Sequence, residues 1–215
     1  MSSRFCSLLA ILFALTIVNS AAAKTIIVTD IDCDRMAFIQ AQAPLWGWGG
    51  YEANVGVQST SQFYMNNTRA FLICYPLDRI PKGQRIINAE LSFTSGIQSA
   101  GEQRLNLRRI RADWGAGVCW KYRTTQPNKV PWTEPGGRGP GTDRAAKATA
   151  VIRSAMPGAK VVNVTNDVEL WYSGAVPNHG WMLAIEDPDV IVVLPSPVWD
   201  TGRGKWQLKV TFEPE

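Results

Sequence analysis

The sequence predicts an all-β protein, an antiparallel sandwich or barrel folded as one domain, and three observations carry that expectation. Nine short segments rich in β-branched and aromatic residues are each bounded by Gly, Pro, Asn or Asp, as strands separated by turns are. Residues 89–93 (AELSF) and 206–212 (WQLKVTF) alternate apolar and polar side chains, the period-two pattern of strands that bury one face. Little of the remainder shows helical periodicity, and many strands with few helices pack as a sandwich or close as a barrel.

The first element stands outside the fold. Arg4 precedes an apolar run over 8–18, interrupted only by Thr16, and the small residues Ala21, Ala22 and Ala23 follow. The run is shorter than the roughly 20 residues with which a helix crosses a bilayer, so the pattern predicts an export signal over 1–23, cleaved before Lys24. The domain then occupies 24–215, secreted or held in the cell envelope, with no membrane insertion after cleavage. The expected strands are 25–29, 53–57, 69–75, 86–94, 104–111, 160–165, 180–185, 190–194 and 205–212. Pro81, Lys82 and Gly83 form a tight turn between two of them, Pro presetting φ and Gly accepting a positive φ. A short helix is expected over 167–172, after the potential caps Thr165 and Asn166 and before Gly174. Residues 144–155 are alanine-rich without an apolar stripe and leave helix and coil equally open. The Pro- and Gly-rich stretch 124–142 reads as a long irregular loop, and loops of that length are usually functional or mobile.

Composition narrows the partners. With 46% hydrophobic residues the chain can bury a sizeable core, and a formal net charge of +4 is too small to imply nucleic acid. Arg104, Arg108, Arg109, Arg111, Lys121 and Arg123 nevertheless cluster against Asp113 alone, which fits either attraction for an acidic ligand or a solvated strand face. Cys33, Cys74 and Cys119 remain once the signal leaves; an oxidising compartment would permit one bridge and leave one thiol over, with the pairing open. Cys74 lies in an apolar run, where a buried thiol behaves as a small hydrophobe.

Several separated motifs occur in order: RAFLICYPLDRIPKG at 69–83, followed by IINAEL at 86–91; LNLRRIRADW at 105–114, with Gly117 and Trp120; and Val164, Thr165, Asp167, Val168, Trp171, Gly174, Asn178, Gly180 and Leu183. Upstream stand Gly49-Gly50-Tyr51 and Val55-Gly56-Val57, and a last strand covers 206–212. Together they resemble the secreted bacterial DNRLRE domain, also grouped as carbohydrate-binding module family 96, over about 34–212. The resemblance implies a jelly-roll-like β-sandwich without catalytic activity, of a kind often appended to secreted polysaccharide-degrading enzymes or surface proteins, with an alginate-binding member known.

Candidate ligand contacts follow from residue chemistry. Nine tryptophans exceed what a single core of this size needs, which predicts exposed rings. Trp46 and Trp48 flank Gly47 and, with Tyr51, would form a platform for the apolar face of a sugar; the rival reading is that they cap the edge of the sandwich. Tyr122, Trp132 and Trp199 are further candidates in Pro- or Gly-rich loops. Arg104 and Arg108 share one strand face with Asn106 between them, while Leu105 and Leu107 face the core, and arginine forks suit the carboxylates of a uronic acid polymer. Ile110 falls on the arginine face, which predicts a bulge near Arg109.

No cofactor is required by these patterns, although alternating Asp30, Asp32 and Asp34 offer oxygen ligands of the kind calcium takes, without the downstream Gly and Glu of an EF-hand. His179 is the single histidine, sits between Asn178 and Gly180, and belongs to no catalytic motif; paired carboxylates such as Glu186 and Asp189 occur in any secreted chain. The expected function is therefore a secreted, non-catalytic binding module for an extracellular polysaccharide, acidic ones included. The alternative is a structural or adhesive envelope protein that binds other proteins, and a polysaccharide-degrading enzyme ranks last. Aromatics and arginines in one groove would point to sugar; aromatics divided from arginines would point to protein contact.

Overall fold

The computed structural model describes residues 22–48, 62–97, 104–153, 157–187, 191–195 and 206–215. The expected export signal, the strand at 53–57, Tyr51 and Trp199 fall outside these residues, as does the side chain of Trp48. In chain order the strands are β1 (Lys24–Thr29), β2 (Arg35–Gln40), β3 (Gly47–Trp48), β4 (Gln62–Met65), β5 (Arg69–Cys74), β6 (Gln84–Ile97) and β7 (Arg104–Arg109). After them come β8 (Tyr122–Thr124), β9 (Val130–Pro131), β10 (Ala150–Arg153), β11 (Gly158–Asn163), the helix α1 (Thr165–Tyr172), β12 (Trp181–Ile185), β13 (Val192–Pro195) and β14 (Gln207–Pro214).

All named strands pair antiparallel in two six-stranded sheets and one small ribbon. The first sheet has the order β1-β14-β6-β13-β4, with β11 on the other edge of β6; the second runs β10-β7-β12-β5-β2-β3; β8 and β9 form the ribbon. From β4 onward the chain passes from one sheet to the other at most steps, so that β14-β6-β11 faces β5-β12-β7-β10. That is the winding of a jelly roll. The expected all-β sandwich with one short helix is therefore the observed fold.

Alternation places the core. Ala89, Leu91 and Phe93 of β6 and Leu208, Val210 and Phe212 of β14 meet Phe71 and Ile73 of β5, Leu105 and Leu107 of β7, and Leu183 and Ile185 of β12. At its centre the buried Trp206 stacks on Phe93 at 4.5 Å between centroids, 13° from parallel, and lies tilted against Phe71 at 4.6 Å. The helix closes one end. Trp171 packs on Trp181 at 4.5 Å, and the buried Asp167 accepts hydrogen bonds from Trp181 Nε1 (2.8 Å) and Thr149 Oγ1 (2.6 Å) while pairing with Arg109 at 3.3 Å. The turn at 81–83 is as expected: Gly83 has φ +72°, and Tyr172 ties the turn to the helix by donating to Pro81 O and accepting from Gln84 N.

The second sheet departs from the one-face pattern. Ala37, Ile39, Ala70, Leu72, Cys74, Met182 and Ala184 point away from the sandwich interior, yet all are buried. The segment 110–149 covers them with Ile110, Trp114, Val118 and Trp132. Alanines at 37, 70 and 184 leave depth for the tryptophan rings, so β2, β5 and β12 bury both faces. Such strands read as continuous apolar runs rather than as alternation. This is why β2, with its Met-Ala-Phe-Ile run, escaped the sequence reading.

The long loop is irregular as expected, but much of it is packed. Asp143, 1% exposed, accepts the backbone N–H groups of Thr133 (2.9 Å), Glu134 (2.9 Å) and Gly139 (3.0 Å) and so ties together three points of the cover. Ile110 lies on the outer face in simple register with Arg104, Asn106 and Arg108, because the cover begins there; the expected bulge near Arg109 is absent from the β7–β12 pairing. The segment 144–155 contains strand β10, whose Ile152 faces Leu105 across the ladder, and 144–149 runs beside β7 by bonds such as Ala145 N to Arg109 O. At Gly180, φ is +75° and a Cβ would stand 2.1 Å from Ile73 O, so only glycine lets this turn lie against β5. The three cysteines are free and buried; burial first, and nearby acids second, push the Cys33 thiol up to about 12, and burial pushes Cys74 up to about 11.

Urea unfolding tests both cores. Trp206→Ala should lower stability by about 3–5 kcal/mol, and Ala37→Leu by about 1–3 kcal/mol through overpacking under the cover. Ile27→Ala, at an exposed position of β1, should stay within about 0.5 kcal/mol of the parent.

Candidate functional site

A tight turn after β2, with bonds from Ala43 N to Gln40 O (3.3 Å) and Trp46 N to Ala43 O (3.0 Å), projects Leu45 and Trp46 into solvent, 57% and 59% exposed. Lys121 N donates to Pro44 O (3.0 Å) and joins this turn to the cover. The β8–β9 ribbon sets Tyr122 beside it, and Leu45, Tyr122, Thr125, Gln126 and Lys129 line a groove of 340 Å3. The ammonium groups of Lys121 and Lys129 stand 5.5 Å and 5.9 Å from the centroid of the Tyr122 ring. Of the sequence candidates, Tyr122 lines this groove, and Trp46 stands exposed on the turn that contributes Leu45 to it. The groove offers apolar area, an aromatic ring and two cations, which suits a flat ligand carrying negative charge.

The arginine candidates stand elsewhere. Arg104, Asn106 and Arg108 share the outer face of β7, with Leu105 and Leu107 inward, as the alternation predicts. A groove of 520 Å3 lies there, lined by Arg104, Asn106, Val151, Glu186 and Asp187. Arg108 is held: it pairs with Glu186 at 3.1 Å and donates to Ala146 O, and Arg144 reaches the same Glu186 oxygen at 3.3 Å. The aromatic and arginine grooves share no lining residue.

A third cavity, 460 Å3, opens where the cover meets the ends of β2 and β5, lined in part by Arg35, Asp113, Trp114, Arg123 and Gln126. Arg35 pairs with Asp113 at 2.8 Å, donates to Trp114 O and lies 5.1 Å from the Trp114 ring, while Trp114 Nε1 donates to His179 O at 2.8 Å. His179 Nδ1 stands 3.3 Å from Asp113 Oδ1 without the geometry of a hydrogen bond. Burial lowers the His179 pKa against the opposing pull of Asp113, which keeps the ring neutral at pH 7. For Asp113, partial burial acts upward, but the Arg35 guanidinium outweighs it and holds the carboxyl below its ordinary value. His179, which belongs to no catalytic motif, is a half-buried member of the joint between cover and sheet.

The other candidates divide. Trp132 is a correction: it is 4% exposed, its Nε1 donates to Cys119 O at 2.9 Å, and its ring fills the core beneath the cover rather than meeting solvent. The tryptophan surplus shrinks as well: Trp114 and Trp132 are buried beneath the cover with Trp120 partly so, and Trp171, Trp181 and Trp206 lie in the sandwich core. A second core absorbs rings that one core would have left outside. Asp30, Asp32 and Asp34 do not project as an alternating set, because Asp30–Asp32 is a 3-10 turn; Asp30 accepts from Trp206 N at 3.1 Å and Asp32 pairs with Arg79 at 3.3 Å. Among the described residues no group of three or more His, Cys, Asp or Glu side chains is placed to hold a metal ion, and no helix is long and apolar enough to cross a membrane. Sequence reasoning missed Leu45, Lys129 and Arg144 as site residues and named Glu186 only as a carboxylate paired with Asp189; only the fold brings 144 and 186 together, so no local pattern signals their meeting.

The joint predicts a pH dependence. A histidine whose folded pKa lies below the ordinary 6.5 contributes stability that is present above 6.5 and lost as pH falls through the folded value; Asp113 does the same below 3.8. Urea midpoints should fall in two steps, one below pH 6.5 and one below pH 3.8, as pH is lowered; His179→Gln should remove the upper step, and Asp113→Asn the lower. No protein-family model matches this chain, and no curated protein matches it.

Proposed function

We propose that this chain is a secreted, non-catalytic binding module for an extracellular polysaccharide, with acidic sugars the favoured class. The observation that carries the reading is the exposed Leu45–Trp46 turn beside the Tyr122 groove, with Lys121 and Lys129 against the ring. Aromatic and aliphatic area covers the C–H face of a pyranose, and ammonium groups next to it favour carboxylated or sulfated units. Two further supports are the order of motifs at 69–83, 105–120 and 164–183, which resembles the DNRLRE domain, and the jelly-roll winding that this resemblance implies. The export pattern over 1–23 supports an extracytoplasmic location for the module.

A second reading, an adhesive or structural envelope protein, is favoured by one observation: the aromatic groove and the arginine groove have no lining residue in common. Affinity gels and a glycan panel separate the two. The sugar reading expects retardation by at least one polysaccharide and a loss of about tenfold in affinity for Trp46→Ala, as for an interface ring whose truncation costs more than about 1 kcal/mol. Absence of retardation on every glycan would leave the envelope reading.

A further inference from the structure

The chain contains two Asn-x-Thr triplets, Asn66-Asn67-Thr68 and Asn163-Val164-Thr165, the pattern that accepts N-linked oligosaccharide in secreted proteins when the middle residue is not proline. The fold treats them differently. Asn66 opens the tight turn between β4 and β5, which Arg69 N closes on Asn66 O at 3.2 Å. Its Oδ1 accepts from Thr68 N at 3.1 Å and from Thr68 Oγ1 at 2.8 Å, and that hydroxyl in turn accepts from Gln42 Nε2 at 2.7 Å. Two further bonds pin the turn from outside, Ala41 N donating to Thr68 O at 2.9 Å and Arg138 Nη2 to Asn67 O. The carboxamide is thereby held by its oxygen; the reversed amide would set two N–H groups against each other. Asn66 Nδ2 makes no hydrogen bond among the described residues and is not among the buried polar atoms, so it is open to solvent.

The second triplet is built into the sheet. Asn163 Nδ2 donates to Asn88 Oδ1 on β6 at 3.3 Å, Val164 is buried with its N–H on Ala89 O at 2.8 Å, and Thr165 Oγ1 accepts from Ala89 N at 2.9 Å. A sugar on Asn163 would have to displace Asn88, whereas one on Asn66 displaces nothing. We propose that Asn66 is an acceptor for N-linked oligosaccharide, with a polyprenyl-diphosphate-linked oligosaccharide as the donor class. Asn66 Nδ2 attacks C1 of the first sugar, and the C–N bond forms as the C1–O bond to the diphosphate breaks. The electron pair of that bond leaves with the diphosphate, the amide proton passes to the medium, and nothing is oxidised or reduced. The glycan then stands on a turn bonded to residues 41 and 42, at the start of the loop that carries Leu45 and Trp46. The proposal rests on the export reading, because donors of this class meet proteins in the secretory pathway, and it stands whether or not the Tyr122 groove binds sugar.

The full chain, produced in a eukaryotic secretory host once behind its own export signal and once behind the host's, tests the assignment. Its intact mass should fall by one oligosaccharide on treatment with peptide N-glycosidase, and peptide mapping should then find a carboxylate at position 66. Asn66→Gln should abolish the mass shift and Asn163→Gln should keep it. Thr68→Ala should lose the glycan, and Thr68→Ser, which restores the hydroxyl, should regain it. Secreted protein without any glycan, or a mass shift that survives Asn66→Gln unchanged, overturns the proposal. Glycan found only behind the host's signal keeps Asn66 as the acceptor and overturns the export reading instead.

Discussion

Ala37, Ala70, Leu72, Met182 and Ala184 face away from the sandwich interior, and water left against so much apolar surface on three adjacent strands would oppose folding. The second sheet therefore has to be covered twice. One cover is the first sheet; the other is the 110–149 segment, whose tryptophans lie over the alanines and whose polar backbone is satisfied from within. This constraint decides much else: where the irregular loop lies, why Trp114 and Trp132 are out of solvent, and why Arg35, Asp113 and His179 meet. The cover also places Tyr122 beside the Trp46 turn, so the aromatic groove exists only because the sheet beneath needed shielding.

How legible this was in the sequence depends on which face a residue serves. Strands with one buried face, such as β6, β7 and β14, announce themselves by alternation, and their inward residues are those expected. The helix was marked by its flanking turn residues and begins two positions earlier than expected, at Thr165. Doubly buried β2 has no alternation to read, and β10 is hidden in an alanine-rich stretch whose strand character comes from pairing with β7. Trp46 and Tyr122 were found because aromatics in glycine- or proline-rich surroundings stand out. Trp132 carried the same local signal, and only tertiary packing separates it from them.

The arginines show a similar division. A run of basic residues along one strand looks uniform in sequence, yet its members end in different environments: Arg104 exposed on the open groove, Arg108 tied to Glu186, and Arg109 on the opposite face against Asp167 at the helix end. Alternation along the strand explains the split between Arg108 and Arg109, and the edge of the cover explains why polar character gives way at Ile110. Charge density counted along the chain thus overstates what one surface presents.

The cover leaves and re-enters the second sheet at neighbouring points: Ile110 bridges Arg144, Arg111 N reaches Asp143 O, and Ala145 N returns to Arg109 O. Its two ends are therefore clamped together independently of what lies between them. Such an excursion can lengthen, shorten or change its exposed tip while strand registers stay put, provided that enough bulk remains above the alanines.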